Sequence, residues 1–177
     1  MRPLRIACVG PEKVGKTVLC NVLSENGLES YGEYKSTHCV RILEFSMRVK
    51  TGGDQHGQRD IQLWDCGGRE MYDSKWAAIE YKCDAVLLVL TSDKSLETVQ
   101  RLEKICKFFI KRKPAVKVLV LKNELPGNQS IDISLPISGH EQHEVDPQEG
   151  VDALRKIFKK FINRLADKLY SEEADGE

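Results

Sequence analysis

The sequence predicts an α/β fold, a six-stranded and mostly parallel sheet flanked by helices. Three observations carry that expectation. Apolar runs of strand length alternate with stretches of helical period, and no segment repeats. The runs 85–90 and 116–121 are almost unbroken Val, Leu and Ala, the pattern of strands covered on both faces. Gly10-Pro11-Glu12-Lys13-Val14-Gly15-Lys16-Thr17 is a complete G-x-x-x-x-G-K-[ST] loop, lying between a strand-like run and a helical one. With 177 residues the chain is most simply one domain, large enough to bury a substantial core.

The elements follow in order. Leu4 to Val9 reads as a buried strand, and a helix opens at Val18 and runs through Leu23. Residues 40–49 mix apolar side chains with Arg41, Glu44 and Arg48, the look of an edge strand. Gly52-Gly53-Asp54 turns the chain, and the alternating run 60–65 pairs back antiparallel as a hairpin. Met71, Tyr72, Trp76 and Ile79 have helical spacing and leave two readings, core packing or an outward aromatic anchor of Tyr72 and Trp76 for a partner. Residues 95–113 carry Leu96, Val99, Leu102 or Glu103, Cys106, Phe109 and Ile110 at helical spacing, closed by Pro114. A weak sixth strand is expected at 131–137. Pro126 and Gly127 leave no room for a useful helix before it, so that crossover helix is missing or very short, or the last strands are arranged unusually. Asp146-Pro147 caps a final helix with the stripe Val151, Leu154, Phe158, Phe161, Leu165 and Leu169. Its other face carries Lys156, Lys160, Arg164 and Lys168, a solvated face or a stripe for an acidic partner. The domain is expected to occupy residues 1–170, with 171–177 a short acidic tail.

The loop has a definite chemistry. A turn between strand and helix aims successive backbone N–H groups at one point, and the helix N-terminus adds partial positive charge. The candidates for contact with phosphate are Gly10, Glu12, Lys13, Val14, Gly15, Lys16, Thr17 and Val18, with Lys16 reaching the β- and γ-phosphates and Thr17 offering its hydroxyl to Mg²⁺. Leu63-Trp64-Asp65-Cys66-Gly67-Gly68-Arg69-Glu70 supplies a second half-site. There Asp65 ends a strand where it can hold Mg²⁺ through water, and Gly68 can present its N–H to a γ-phosphate. Thr37 can add a second hydroxyl to the metal, and Tyr34 can cover the phosphates.

Taken together, these residues resemble the Rab-like members of the Ras superfamily, a P-loop NTPase fold with a Ras-like G domain. The similarity spans the loop, Thr37, Trp64-Asp65-x-x-Gly68, Phe45 beside Trp64, and Ser95-Leu96-Glu97-Thr98-Val99. More narrowly, Gly-Pro-x-x-x-Gly-Lys-Thr-Val-Leu, Val40-Arg41-Ile42-Leu43-Glu44-Phe45 and Leu63-Trp64-Asp65-Cys66-Gly67-Gly68 resemble the Rab-like subunit family of the intraflagellar transport B complex, called the Rab-like protein five class. That resemblance implies GTP or GDP with Mg²⁺, docking onto coiled-coil subunits of the transport complex, and a place in the cytoplasm, the cilium or flagellum and its base. It also implies a protein that is monomeric alone and has no lipid anchor.

Three departures bear on activity. Arg69 stands where active relatives carry the Gln that orients the attacking water, and a guanidinium only donates. No catalytic residue is assigned, and hydrolysis is expected to be slow or absent. Glu12 and Lys13 occupy loop positions where relatives are small, and the Glu12 carboxylate repels phosphate unless Lys13 or Arg69 neutralises it. Lys122-Asn123-Glu124 replaces the guanine-reading Asn-Lys-x-Asp element. Asn123 and Glu124 are then the substitute base contacts, and Ser138 in Ser138-Gly139-His140 stands in for a backbone contact. Three functions compete on this reading: a nucleotide-dependent binding module, an NTPase or kinase with real turnover, and a pseudo-GTPase scaffold.

Composition narrows the field. Lys+Arg and Asp+Glu both number 27, so no overall charge draws the chain to nucleic acid or a membrane surface. Cys8, Cys20, Cys39, Cys66, Cys83 and Cys106 form no C-x-x-C pair and mostly fall in apolar runs, which suits reduced, buried thiols of a cytosolic protein. No signal segment, myristoylation glycine or prenylation cysteine is recognisable, so the expectation is a soluble protein.

Overall fold

Alternation along the central strands explains the architecture. In a computed structural model of the chain, the residues described are 2–24, 35–50, 56–91, 95–109, 117–123, 141–145 and 151–174. The strands are β1 (Leu4–Val9), β2 (Val40–Lys50), β3 (His56–Cys66), β4 (Ala85–Thr91), β5 (Lys117–Asn123) and β6 (Glu141–Val145). The helices are α1 (Lys16–Leu23), α2 (Trp76–Lys82), α3 (Leu96–Phe109) and α4 (Val151–Ala174), with a 3-10 helix at Glu70–Lys75 leading into α2. One six-stranded sheet runs in the order β2-β3-β1-β4-β5-β6. Only the β2–β3 pair is antiparallel; the other neighbours are parallel.

Successive side chains of a strand point to opposite faces, so an unbroken apolar run serves two cores at once. Leu4, Ile6 and Cys8 of β1 and Ala85, Leu87 and Val89 of β4 join one cluster with residues of α1 and α4. Ala7 and Val9 of β1 and Val86, Leu88 and Leu90 of β4 join another with residues of α2 and α3. The α4 stripe buries Leu154, Phe158, Phe161 and Leu165 as spaced, and also Ile162 and Ala166. Lys156, Lys160 and Arg164 lie on its exposed face. Trp76 is 5% exposed and packs on Phe108 and Phe109, with ring centroids 5.3 and 5.4 Å away. An outward Trp76 anchor is therefore wrong; of the four apolar residues of that segment, Trp76 and Ile79 are buried, Tyr72 is half-buried and Met71 is exposed.

Several boundaries differ from expectation, each for a physical reason. The hairpin is longer, pairing Val40 with Cys66 through to Lys50 with His56. Its outer part lies at a sheet edge with one face in water, so it lacks the apolar run that marks a core strand. The helix after the loop starts at Lys16, because Gly15 in a left-handed conformation (φ 88°) caps it. A sixth strand is Glu141–Val145, pairing Glu141 with Leu119 and Val145 with Asn123, while the strand expected at 131–137 lies outside the described residues. Backbone hydrogen bonds pair this polar strand with β5, and apolar content does not reveal it. The last helix continues past Tyr170 to Ala174 through Glu172 and Glu173, both good helix formers. The turn at Gly52, the end of the helix expected to run to Lys113, the segment between β5 and β6 and the Asp146-Pro147 cap lie outside the described residues. All six cysteines are free, and burial pushes the Cys20 and Cys66 thiols well above their ordinary pKa.

Candidate functional site

Because β1, β3, β4 and β5 run the same way, their C-terminal ends share one edge, with Cys8 beside Asp65 and Thr91 beside Asn123. Ligands of open α/β sheets bind at that edge. The loop 10–15 leaves β1 there and enters α1. Lys13 (φ 64°) and Gly15 (φ 88°) are both left-handed, the conformation that curls backbone N–H groups into an anion-binding nest. Gly10 is required for space: a Cβ on it would run into the Val89 carbonyl oxygen of β4 and lie 3.2 Å from Val14 Cγ2. Backbone of a buried strand cannot yield, so Gly10→Ala should lower stability by about 1–3 kcal/mol. Urea unfolding checks this, and an unchanged midpoint would show that the loop has room.

Lys16 is 7% exposed, and its Nζ donates to the Pro11 carbonyl across the loop. Burial lowers its pKa, and the nearby Asp65 carboxylate opposes that shift. An ammonium carries three donors, so the Pro11 bond leaves capacity for an anion. Val14 is buried in the core below the loop, while Val18 is half-buried on α1.

Beside Lys16, three oxygen-bearing side chains converge. Thr17 Oγ1 donates to Asp65 Oδ2 at 2.8 Å, Thr37 Oγ1 donates to the same oxygen at 3.3 Å, and the two hydroxyls are 2.9 Å apart. Asp65 is fully buried, and its Oδ1 has no hydrogen-bond partner among the described residues. A buried carboxylate oxygen left without a partner is costly. Two hydroxyls and a carboxylate make a hard donor set, so Thr17, Thr37 and Asp65 fit a divalent cation such as Mg²⁺. Arg41 Nη2 lies 3.4 Å from Asp65 Oδ2 and donates to Asn21 Oδ1 at 2.6 Å, adding a cation at the rim.

Gly67 and Gly68 are where these parts touch. Gly67 donates its N–H to the Cys39 carbonyl at 2.8 Å, and a Cβ on it would lie 2.6 Å from the Thr37 carbonyl oxygen and 2.7 Å from the Tyr72 ring. A Cβ on Gly68 would lie 2.7 Å from the Glu12 nitrogen and 2.8 Å from the Pro11 carbonyl. Only glycine lets this segment lie against the phosphate loop. Arg69 Nε then donates to Glu12 Oε1 at 3.0 Å, so Arg69 sets a cation beside that carboxylate.

Arg101 of α3 is the residue that sequence reasoning missed. It is 8% exposed, donates from Nε to the Gly68 carbonyl at 3.0 Å and from Nη1 to Asp73 Oδ2 at 2.9 Å, and sits 4.8 Å from the centroid of Trp76. Lys104 adds ion pairs to Asp73 at 2.8 Å and to Glu70 at 3.5 Å. Burial works to raise the Asp73 pKa, but hydrogen bonds from Arg101 and Lys104 outweigh it and hold the carboxyl below its ordinary range. The signal was present in the sequence: Arg101 stands one helical turn before Ile105, a charge on an apolar stripe.

Asn123 ends β5 on the same edge of the sheet, while Tyr34, Glu124 and Ser138 lie outside the described residues. Residues 5–125 match the family model described as Ras of Complex, Roc, domain of DAPkinase. The chain belongs to this Ras-like family. The Ras-like chain is also 29% identical over 184 residues to the intraflagellar transport protein 22 homolog of Homo sapiens, covering 98% of this chain and 97% of that one. It is 28% identical to the homolog of Danio rerio over 190 residues, covering 100% of this chain and 97% of that one. Over 110 residues, 55% of this chain and 52% of the other, it is 36% identical to intraflagellar transport protein 22 of Chlamydomonas reinhardtii. The match to the family model agrees with the P-loop architecture of the sheet and loop.

Proposed function

We propose that this chain is an atypical small GTPase that binds GTP or GDP with Mg²⁺ and serves as a nucleotide-dependent binding module of the intraflagellar transport machinery. The observation that carries this reading is the meeting of Thr17, Thr37 and the buried Asp65 beside Lys16. In this reading the loop and Lys16 hold the phosphates, Thr17, Thr37 and Asp65 hold the metal, and Gly68 senses the terminal phosphate. Asn123, Glu124 and Ser138 are the proposed base contacts, and Tyr34 covers the phosphates. Bound Mg²⁺ supplies charge neutralisation between phosphate oxygens. Arg69 only donates, so it leaves an attacking water without the acceptor that orients it, and hydrolysis is slow or absent. The names of the relatives support a place in the intraflagellar transport machinery; within it, coiled-coil subunits are the proposed partners, and the cilium or flagellum and its base the proposed place of work.

The test is the nucleotide retained by the purified protein, released by denaturation and separated by chromatography. Guanine nucleotide is expected, and adenine nucleotide would overturn the base assignment. A second reading, a scaffold indifferent to nucleotide, is favoured by the Arg101 contacts, which hold residues 68–76 on α3 without involving the phosphate loop.

A further inference from the structure

We propose that Glu12 and Arg69 form a specificity-determining pair that sets how strongly the site prefers nucleoside triphosphate over diphosphate. The proposal rests on the nucleotide-binding reading above. Glu12 lies in the phosphate loop, and its Oε1 meets Arg69 Nε at 3.0 Å, with the two side chains 33% and 48% exposed. The pair sits where Gly68 packs on the loop, its absent Cβ falling 2.7 Å from the Glu12 nitrogen. A carboxylate at that place repels added negative charge, and a guanidinium attracts it. Together they are neutral, so the pair adds little net attraction for a third phosphate. Lys16 and Thr17, deeper in the loop, serve both forms of nucleotide.

The consequence is a preference tuned by two opposing charges. Removing the Glu12 charge makes this end of the loop one unit more positive, which favours triphosphate. Removing the Arg69 charge makes it one unit more negative, which disfavours triphosphate. Arg69 bears five donors in a planar fork, so a terminal phosphate can recruit it as well as Glu12 does. Glu12 is then the competitor that limits this recruitment.

The experiment is titration of the full chain, with Mg²⁺, against GTP and GDP for wild type, E12Q, R69Q and the double variant. E12Q should raise the ratio of GTP to GDP affinity about tenfold and R69Q should lower it about tenfold, while the double variant returns near wild type. Both shifts should shrink in high salt, as expected for half-exposed charges. Melting temperatures without added nucleotide should move little, because an exposed pair contributes little to stability. Ratios that stay within about twofold of wild type in both single variants overturn the proposal. So do equal losses of GTP and GDP affinity accompanied by a fall in melting temperature, which is what a merely structural pair would give. A wild-type chain that binds neither nucleotide overturns the nucleotide-binding reading itself, and that outcome is distinct from an unshifted ratio.

Discussion

Lys16→Ala should weaken binding of Mg²⁺·GTP by about 10- to 150-fold, because hydrogen bonds to charged groups contribute roughly 1.5–3 kcal/mol and 1.4 kcal/mol is tenfold. The fold should survive. Lys16 is 7% exposed and its pKa is lowered by burial, so the folded chain carries a desolvation cost that alanine removes. Alanine is also the best helix former, placed here at the first residue of α1. The Pro11 carbonyl loses its partner, a smaller penalty than an orphaned charge. Titration with a fluorescent guanine nucleotide reads the affinity, and circular dichroism reads the fold. The same variant separates the two functional readings. If affinity for a coiled-coil partner falls in step with nucleotide affinity, docking depends on the filled site. If partner binding survives in Lys16→Ala, the scaffold reading replaces the nucleotide-dependent one.

What the sequence made legible follows from the range of the interactions involved. The phosphate loop is local: its glycines, lysine and threonine act within one strand-loop-helix unit, so the spacing from Gly10 to Thr17 specifies its geometry. Central strands announce themselves because β1 and β4 are buried on both faces. The carboxylate at Asp65 was readable from its place at a strand end, since β1 and β3 bring strand ends together in parallel. Contacts that depend on which polar side chain turns inward were not readable. Arg101 stands out in the sequence only as a charge on an apolar stripe, and its partners emerge only when the packing of α3 sets its guanidinium over Trp76. Arg41 reads as an edge-strand charge until the hairpin register sets it opposite Asp65. Strand β6 shows the same limit, since a polar edge is defined by its neighbour's backbone more than by its own residues.

Arg101→Ala should loosen residues 68–76 and cost about 3 kcal/mol, the low end of what removing one partner of a buried ion pair typically costs. The lower figure applies because Asp73 keeps Lys104 at 2.8 Å and is itself 20% exposed. The loss has three parts: the Gly68 carbonyl loses its donor, Asp73 loses its forked partner, and Trp76 loses the cation over its ring. Arg101→Lys should be intermediate, because an ammonium cannot bond Gly68 and Asp73 at once or lie flat on the indole. Hydrogen exchange is the measurement, with faster exchange expected at residues 68–76 and little change in β1 and β4. Equal acceleration across the sheet would mean that Arg101 supports the whole fold and not this segment. Acid provides an independent check with a definite sign. The Asp73 pKa is lowered in the folded chain, so its contribution is present above the ordinary carboxylate value of 3.8 and is lost as pH falls through the folded value. Wild-type protection of residues 68–76 should therefore decline below about pH 4 more steeply than that of Arg101→Ala, which has already lost part of the pair. Gly68 lies at one end of this segment and the core residue Trp76 at the other, so α3 sets the posture in which Gly68 meets the phosphate loop. If GTP affinity falls in Arg101→Ala while GDP affinity holds, Arg101 acts by positioning Gly68; equal loss of both would confine its role to stability.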